Sequence, residues 1–159
     1  MKENDIRPAD LFAEYLRLSA DDLERHFSDK ATFIHRNCPG CGADATVPAF
    51  VKNGFNLVRC ADCESLYANP CPSEAQLSEF YSNSISQRFW ANTFFPAVAE
   101  VRRQKIFQPR ADKIKKLLEG FTTEPGAIID VGAGSGIMLE ELKKAGVDGD
   151  FMAVEPTPE

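Results

Sequence analysis

"CPGCGADATVPAFVKNGFNLVRCADCESLYANPCP" (Cys38–Pro72) holds all five of the chain's cysteines. Four fall in two pairs, Cys38-x2-Cys41 and Cys60-x2-Cys63, with 18 residues between the pairs. Two residues between cysteines let one tight turn aim both sulfurs at a single ion, and this spacing lies inside the four-cysteine zinc pattern. Pro39 and Gly40 suit the first turn, and Gly42 permits the bend after it. Between the pairs, "TVPAFV" and "FNLVRC" are strand-like and flank Asn53-Gly54, a type I′ hairpin signal. The hairpin would carry the two turns to one tetrahedral site, a zinc ribbon with Zn2+ on Cys38, Cys41, Cys60 and Cys63. Four thiolates leave no open coordination position, so the metal is expected to be structural. Glu64 stands where a second small residue often follows such a turn. His35, three residues before Cys38, is expected to be a bystander, and Cys71 a lone thiol.

The second informative stretch is "AIIDVGAGSGIMLEELKKAG" (Ala127–Gly146) with "FMAVE" (Phe151–Glu155) behind it. It reads as strand, glycine loop, amphipathic helix and strand, a β-α-β unit with a parallel sheet. The glycines fall as Gly132-x-Gly134-x-Gly136. A dinucleotide fingerprint would need a small residue at position 137, which is isoleucine. Asp130, ending the first strand, would repel a pyrophosphate but suits a cationic ligand such as S-adenosylmethionine. Glu155, 19 residues after Gly136, is placed to accept hydrogen bonds from both hydroxyls of an adenosine ribose.

The remainder sets the limits. Hydrophobic residues make up 43% and charged residues 26%, ordinary for a globular chain. No apolar run reaches the roughly 20 residues of a membrane span, and the N-terminus has no signal-peptide core, which places the chain in the cytoplasm. The net charge of −6 argues against a nucleic-acid partner. Acidic neighbours interrupt the basic runs "RRQK" (Arg102–Lys105) and "KIKK" (Lys113–Lys116), which read as solvated helix faces. Four segments follow: a helical extension at 1–35, with Ser19 and Asp22 capping a short second helix; the ribbon at 36–72; a helical region at 73–120; and the β-α-β start of a further domain at 121–159. In the third segment Ser73 and Gln76 form a capping box, Leu77, Phe80 and Tyr81 an apolar stripe. A longer helix runs from about Ala97, with a break or kink at Pro109 and a stop at Gly120.

Together these motifs resemble class I S-adenosylmethionine-dependent methyltransferases that carry an N-terminal zinc ribbon, a group that includes sugar C-methyltransferases. "LYANPCP" (Leu66–Pro72) and "EFY" (Glu79–Tyr81) are similar to segments that follow the ribbon there; Cys71 replaces a residue commonly basic in that group. The resemblance covers residues 38–159. It implies an α/β fold with a Rossmann-like domain, cofactor contacts at Asp130, Gly132, Gly134, Gly136 and Glu155, and a small-molecule methyl acceptor, such as an activated sugar. It names no catalytic residue. A class I sheet has seven strands and two are written here. The expectation is therefore an N-terminal fragment, inactive by itself, whose open sheet invites self-association or a complementary C-terminal portion. The alternative is a zinc-ribbon binding or regulatory module with a vestigial cofactor motif.

Overall fold

A computed structural model describes residues 2–121 and 126–156. The linker at 122–125 and the terminal 157–159, assigned above to the last segment, lie outside the described residues. The chain forms two compact units, one from residues 1–18 with 84–159 and the other from 19–83.

In the first unit, α1 (Glu3–Ile6) is followed by the opening half of α2 (Ala9–Phe27). Pro8 stands immediately before α2, where its missing N–H costs no helical hydrogen bond. However, α2 runs through Ser19 without interruption, where the sequence suggested a cap and a second helix. No glycine or proline lies between residues 9 and 27, so nothing removes a helical hydrogen bond there.

The helical stretch that follows also differs from expectation. It starts at Ile85, not near Ala97, because Ser84 caps it, its hydroxyl accepting from the Gln87 N–H at 3.1 Å. From there α4 (Ile85–Phe89), α5 (Phe95–Arg102) and α6 (Gln108–Leu118) are joined by two π-helical turns, Trp90–Phe94 and Arg103–Phe107. Each π turn lies just ahead of a proline, Pro96 or Pro109, and contains the residue four positions before it. A proline ring collides with that residue's carbonyl in an α-helix and offers no N–H to it. Widening the turn relieves the collision, so Pro109 is absorbed and the chain stays helical to Leu118.

Strands β4 (Ala127–Val131) and β5 (Asp150–Val154) pair in parallel, Ala127 opposite Asp150 and Val131 opposite Val154, with α7 (Ile137–Lys144) crossing between them. Ala111 of α6 and Leu139 and Leu142 of α7 form a buried core, against which Ile128 and Phe151 pack from the sheet. The opposite sheet face is bare among the described residues: Ile129, Val131, Met152 and Val154 are 45–78% exposed.

An ion cluster ties the second π turn to α7. Arg103 donates to Glu140 at 2.8 Å and to Glu141, and Lys144 donates to Glu141 at 2.7 Å. The Lys144 ammonium, and then the Arg103 guanidinium, hold the buried Glu141 carboxyl below the ordinary value of 4.5. A carboxyl with a depressed folded value contributes stability above its unfolded value, and the contribution is lost as pH falls through the folded one. Acid should therefore loosen the first unit below about pH 4.5. Glu141→Gln should flatten that acid limb in a titration followed by Trp90 emission; an unchanged limb would place the acid sensitivity elsewhere.

The second unit contains the end of α2, a 3-10 turn (Lys30–Thr32), the antiparallel sheet β1 (Thr46–Lys52), β2 (Phe55–Cys60) and β3 (Leu66–Ala68), and α3 (Glu74–Asn83). The expected capping box opens α3: the Ser73 N–H donates to Gln76 Oε1 at 3.0 Å, and the Gln76 N–H to Ser73 Oγ at 3.3 Å. Phe27, Phe33, Phe55 and Phe80 form its aromatic centre, with rings 5.3–6.4 Å apart. Of the anticipated α3 stripe, Phe80 joins this centre, while Leu77 and Tyr81 are each 37% exposed. The backbones of Ile34 and Cys71 exchange hydrogen bonds at 2.8 and 2.9 Å, and Asn69 Oδ1 accepts from the Arg36 N–H at 3.1 Å. The unit around the cysteines thus reaches beyond residues 36–72 on both sides. No described helix is long and apolar enough to cross a membrane.

Candidate metal centre and glycine loop

The hairpin forms where Asn53-Gly54 places it. Both residues take positive φ, 51° and 76°, as a type I′ turn requires, and Lys52 faces Phe55. Thr46 pairs with Cys60, so the far end of the β1–β2 ladder delivers the second cysteine pair beside the first. The two turns match. The Gly42 N–H donates to the Cys38 carbonyl at 2.8 Å, and the Glu64 N–H to the Cys60 carbonyl at 3.2 Å. Gly42 has φ 81° and Glu64 φ 61°. Glu64 is therefore left-handed where glycine would be strain-free, a cost of about 1 kcal/mol or somewhat more.

The four sulfurs all lie within 4.8 Å of one another. Cys38 and Cys63 are 3.5 Å apart, Cys41 and Cys60 3.6 Å. Four thiolates about 2.3 Å from one tetrahedral zinc would sit roughly 3.8 Å apart, so the donor set fits a metal such as zinc. Electrostatics point the same way. The Ser65 hydroxyl and backbone N–H draw the Cys63 thiol down to about 6. Cys41 is pushed up to about 12: the Ala43 backbone N–H pulls its value down, but the neighbouring Cys63 and Cys60 outweigh it. Without a cation, four thiolates in one place repel, and the last proton leaves with difficulty. A divalent cation removes that penalty.

His35 is not among the cluster; its Nε2 lies 2.7 Å from Asp44 Oδ1, both exposed. Cys71 is half-buried and also stands apart. Ser65 and Tyr67 escaped the sequence reading. Ser65 Oγ is 3.2 Å from Cys63 Sγ, and the buried Tyr67 hydroxyl has no partner among the described residues. Only their positions after the second pair could have flagged them.

In the first unit the glycine loop links β4 to α7. Gly132, Gly134 and Gly136 take φ of 79°, 52° and 74°, and a Cβ on any of them would meet nothing within 4 Å. The glycines are needed for backbone conformation, and the space beside them is open. The Gly132 N–H donates to the Val154 carbonyl at 2.7 Å, holding the loop to the end of β5. Glu155, just past that end, turns its Oε2 to accept from the Gly134 N–H at 2.8 Å. Glu155 and the loop glycines are thus brought together. Asp130 pairs with Ala153 and sits half-buried on the sheet face shared with Ile128, two residues before Gly132, where the loop's hydrogen bonds begin.

The basic run "RRQK" is not the solvated face anticipated above. Arg103 is drawn into the Glu140–Glu141 cluster, and Arg102 is half-buried over the rings of Trp90 and Phe95 at 5.7 and 5.8 Å. The signal available was Phe95 seven residues before Arg102, two helical turns away on one face. No family model, curated protein or solved structure matches this chain.

Proposed function

We propose that the chain binds S-adenosylmethionine at its glycine loop and serves a methyltransferase acting on a small molecule such as an activated sugar, with a structural zinc ion in the four-cysteine centre. The observation that carries this reading is the Glu155–Gly134 hydrogen bond. It joins the acid after the second strand to the loop after the first, as a nucleoside site with an adjacent acceptor for ribose requires. The open space at Gly132, Gly134 and Gly136 fits a ligand lying against the backbone. In this reading Glu155 accepts from the ribose hydroxyls, and the loop N–H groups position the ligand's polar end. Asp130 supplies negative charge near a cationic ligand. The bound cofactor supplies an electrophilic methyl group, and the protein's part is proximity and orientation. The bare sheet face of Ile129, Val131, Met152 and Val154 would be covered by further protein, since parallel sheets are ordinarily covered on both faces.

Calorimetry on the zinc-loaded chain tests this. S-adenosylhomocysteine should bind and NAD should not compete. Glu155→Ala should weaken binding about tenfold to a hundredfold, the worth of one or two hydrogen bonds to a charged group. Tighter binding of NAD, or unchanged affinity in both Glu155→Ala and Asp130→Ala, would overturn the assignment.

A second reading, a docking module, is favoured by a groove of about 660 Å³ on the ribbon sheet, lined by Val47, Phe50, Arg59 and Leu66 among others. An intact ribbon with no adenosyl ligand bound at any concentration would select it.

A further inference from the structure

One face of the ribbon sheet carries an exposed apolar patch with two charges in it. Val47, Arg59 and Leu66 pair in register across β1, β2 and β3, and residues directly opposite one another share a face. Phe50 pairs with Leu57, two residues before Arg59, and so lies on that face too. Val47, Phe50 and Leu66 are 50–52% exposed, and with Arg59 and Glu64 they line the groove of about 660 Å³. Glu64 reaches it from the left-handed position after the second cysteine pair, at φ 61°. Arg59 and Glu64 are both exposed, and neither side chain has an ion pair or hydrogen bond among the described residues. β1 is an edge strand, but Pro48 has no N–H to offer and the register shifts between Pro48 and Phe50. Both features blunt an edge against strand addition, which leaves the face as the surface open to a partner.

We propose that this groove is a two-fold contact between two copies of this chain, Arg59 of each copy pairing with Glu64 of the other beside the facing Val47, Phe50 and Leu66 side chains. The charge pattern selects that occupant. A two-fold interface sets one patch against itself, so a cation and an anion in the same patch meet twice as opposite pairs. A polyanion, whether nucleic acid or an anionic membrane, would attract Arg59 and be repelled by Glu64. An apolar peptide would cover both charges and leave them without partners. The groove lies wholly within residues 19–83, and its use depends on no part of the cofactor reading. It rests on the docking use of the groove and names the occupant which that reading leaves open.

Sedimentation of the zinc-loaded chain over a series of concentrations tests this, and reversible dimers are expected. Arg59→Glu and Glu64→Arg should each weaken dimerisation about tenfold or more, because like charges then face each other twice. Glu64→Arg exchanges one non-glycine side chain for another at φ 61°, so the backbone cost is unchanged. Phe50→Ser, at a half-exposed position outside the aromatic centre, should weaken dimerisation as well. Zinc content and circular dichroism of all three should match the parent. Mixed in equal amounts, Arg59→Glu and Glu64→Arg should form a heterodimer about as tight as the parent dimer, since both cross-pairs are then opposite in charge. A parent chain that stays monomeric at about 0.1 mM overturns the proposal, because an interface of standard size is filled there. So do parent-like dimers in all three variants, which would put the contact on another surface, and a mixture of folded charge variants that stays monomeric. Saturable binding of an oligonucleotide or of anionic phospholipid vesicles in place of self-association would also overturn it. Adenosyl ligand binding, measured alongside, should be the same in all three variants.

Discussion

Cys60→Ser should abolish stoichiometric zinc and unfold the unit of residues 19–83. The parent, purified without added metal, should carry about one equivalent, matching a single four-ligand cluster. Cys60 is the test position because it is 1% exposed and pairs with Thr46 at the base of the hairpin, so it joins the sheet to the metal. The apolar content of this unit is small: one centre of four phenylalanines and a sheet whose β1 is mostly exposed. So little burial cannot offset the chain entropy of some sixty residues by itself. Structural zinc sites supply about 10–16 kcal/mol of apparent binding energy at neutral pH, and here that energy would be folding energy. Strand signals in circular dichroism should fall when a strong chelator is added and return with zinc. Because thiols must lose protons to bind, zinc affinity should rise with pH through the range in which Cys63, near 6, ionises. Full zinc content and an unchanged spectrum in Cys60→Ser would show that the four sulfurs are not the site.

Phe94→Ala should be the most damaging single truncation in the first unit. Phe94 is 0% exposed, stacks on Trp90 at an interplanar angle of 12°, and lies 6.3 Å from both Phe12 and Tyr15. It is where α2 meets the long helix. Removing a fully buried phenyl ring costs about 3–5 kcal/mol, the transfer term plus the cavity left behind. For a unit of this size that lowers the unfolding midpoint by roughly 15 °C or more. Trp90 emission should shift to the red as its stacking partner disappears. Phe94→Leu, which keeps most of the volume, should cost much less. A loss below about 1 kcal/mol for alanine would mean that the cluster collapses to fill the space.

The parts legible in the sequence were those decided by neighbouring residues. Asn53-Gly54 needs only its own φ angles to turn the hairpin, and the Ser73–Gln76 box needs only one helical turn. The cysteine spacing and the Gly132–Gly136 loop are local in the same sense. What escaped depends on distant partners. β3 has three residues and exists because Leu57 and Arg59 pair with Ala68 and Leu66. The Ile34–Cys71 bridge closes a span no local rule marks. Pro109 suggested a break because proline alone carries that message; packing of α6 on α7 through Ala111 and Leu139 keeps the segment helical. Arg102 looked solvated because its covering rings lie up to twelve positions earlier, across a π turn that alters the helical phase. Of the proposed cofactor contacts, the loop glycines and Glu155 are brought together, while the half-buried placement of Asp130 depends on which sheet face the helices cover.

The two π turns also bear on how chain length can vary. Each holds one more residue per hydrogen-bonded ring than an α turn, five positions instead of four. Deleting one residue from Trp90–Phe94 would turn everything after it by about a hundred degrees around the helix axis, the step between successive α-helical residues. Relative to Trp90, Arg103 would then take the position that Arg102 now holds, and Arg102 that of Val101. The wide turns therefore act as spacers that set which arginine meets carboxylates and which lies over aromatic rings, a division of labour encoded in residue count as much as in residue type.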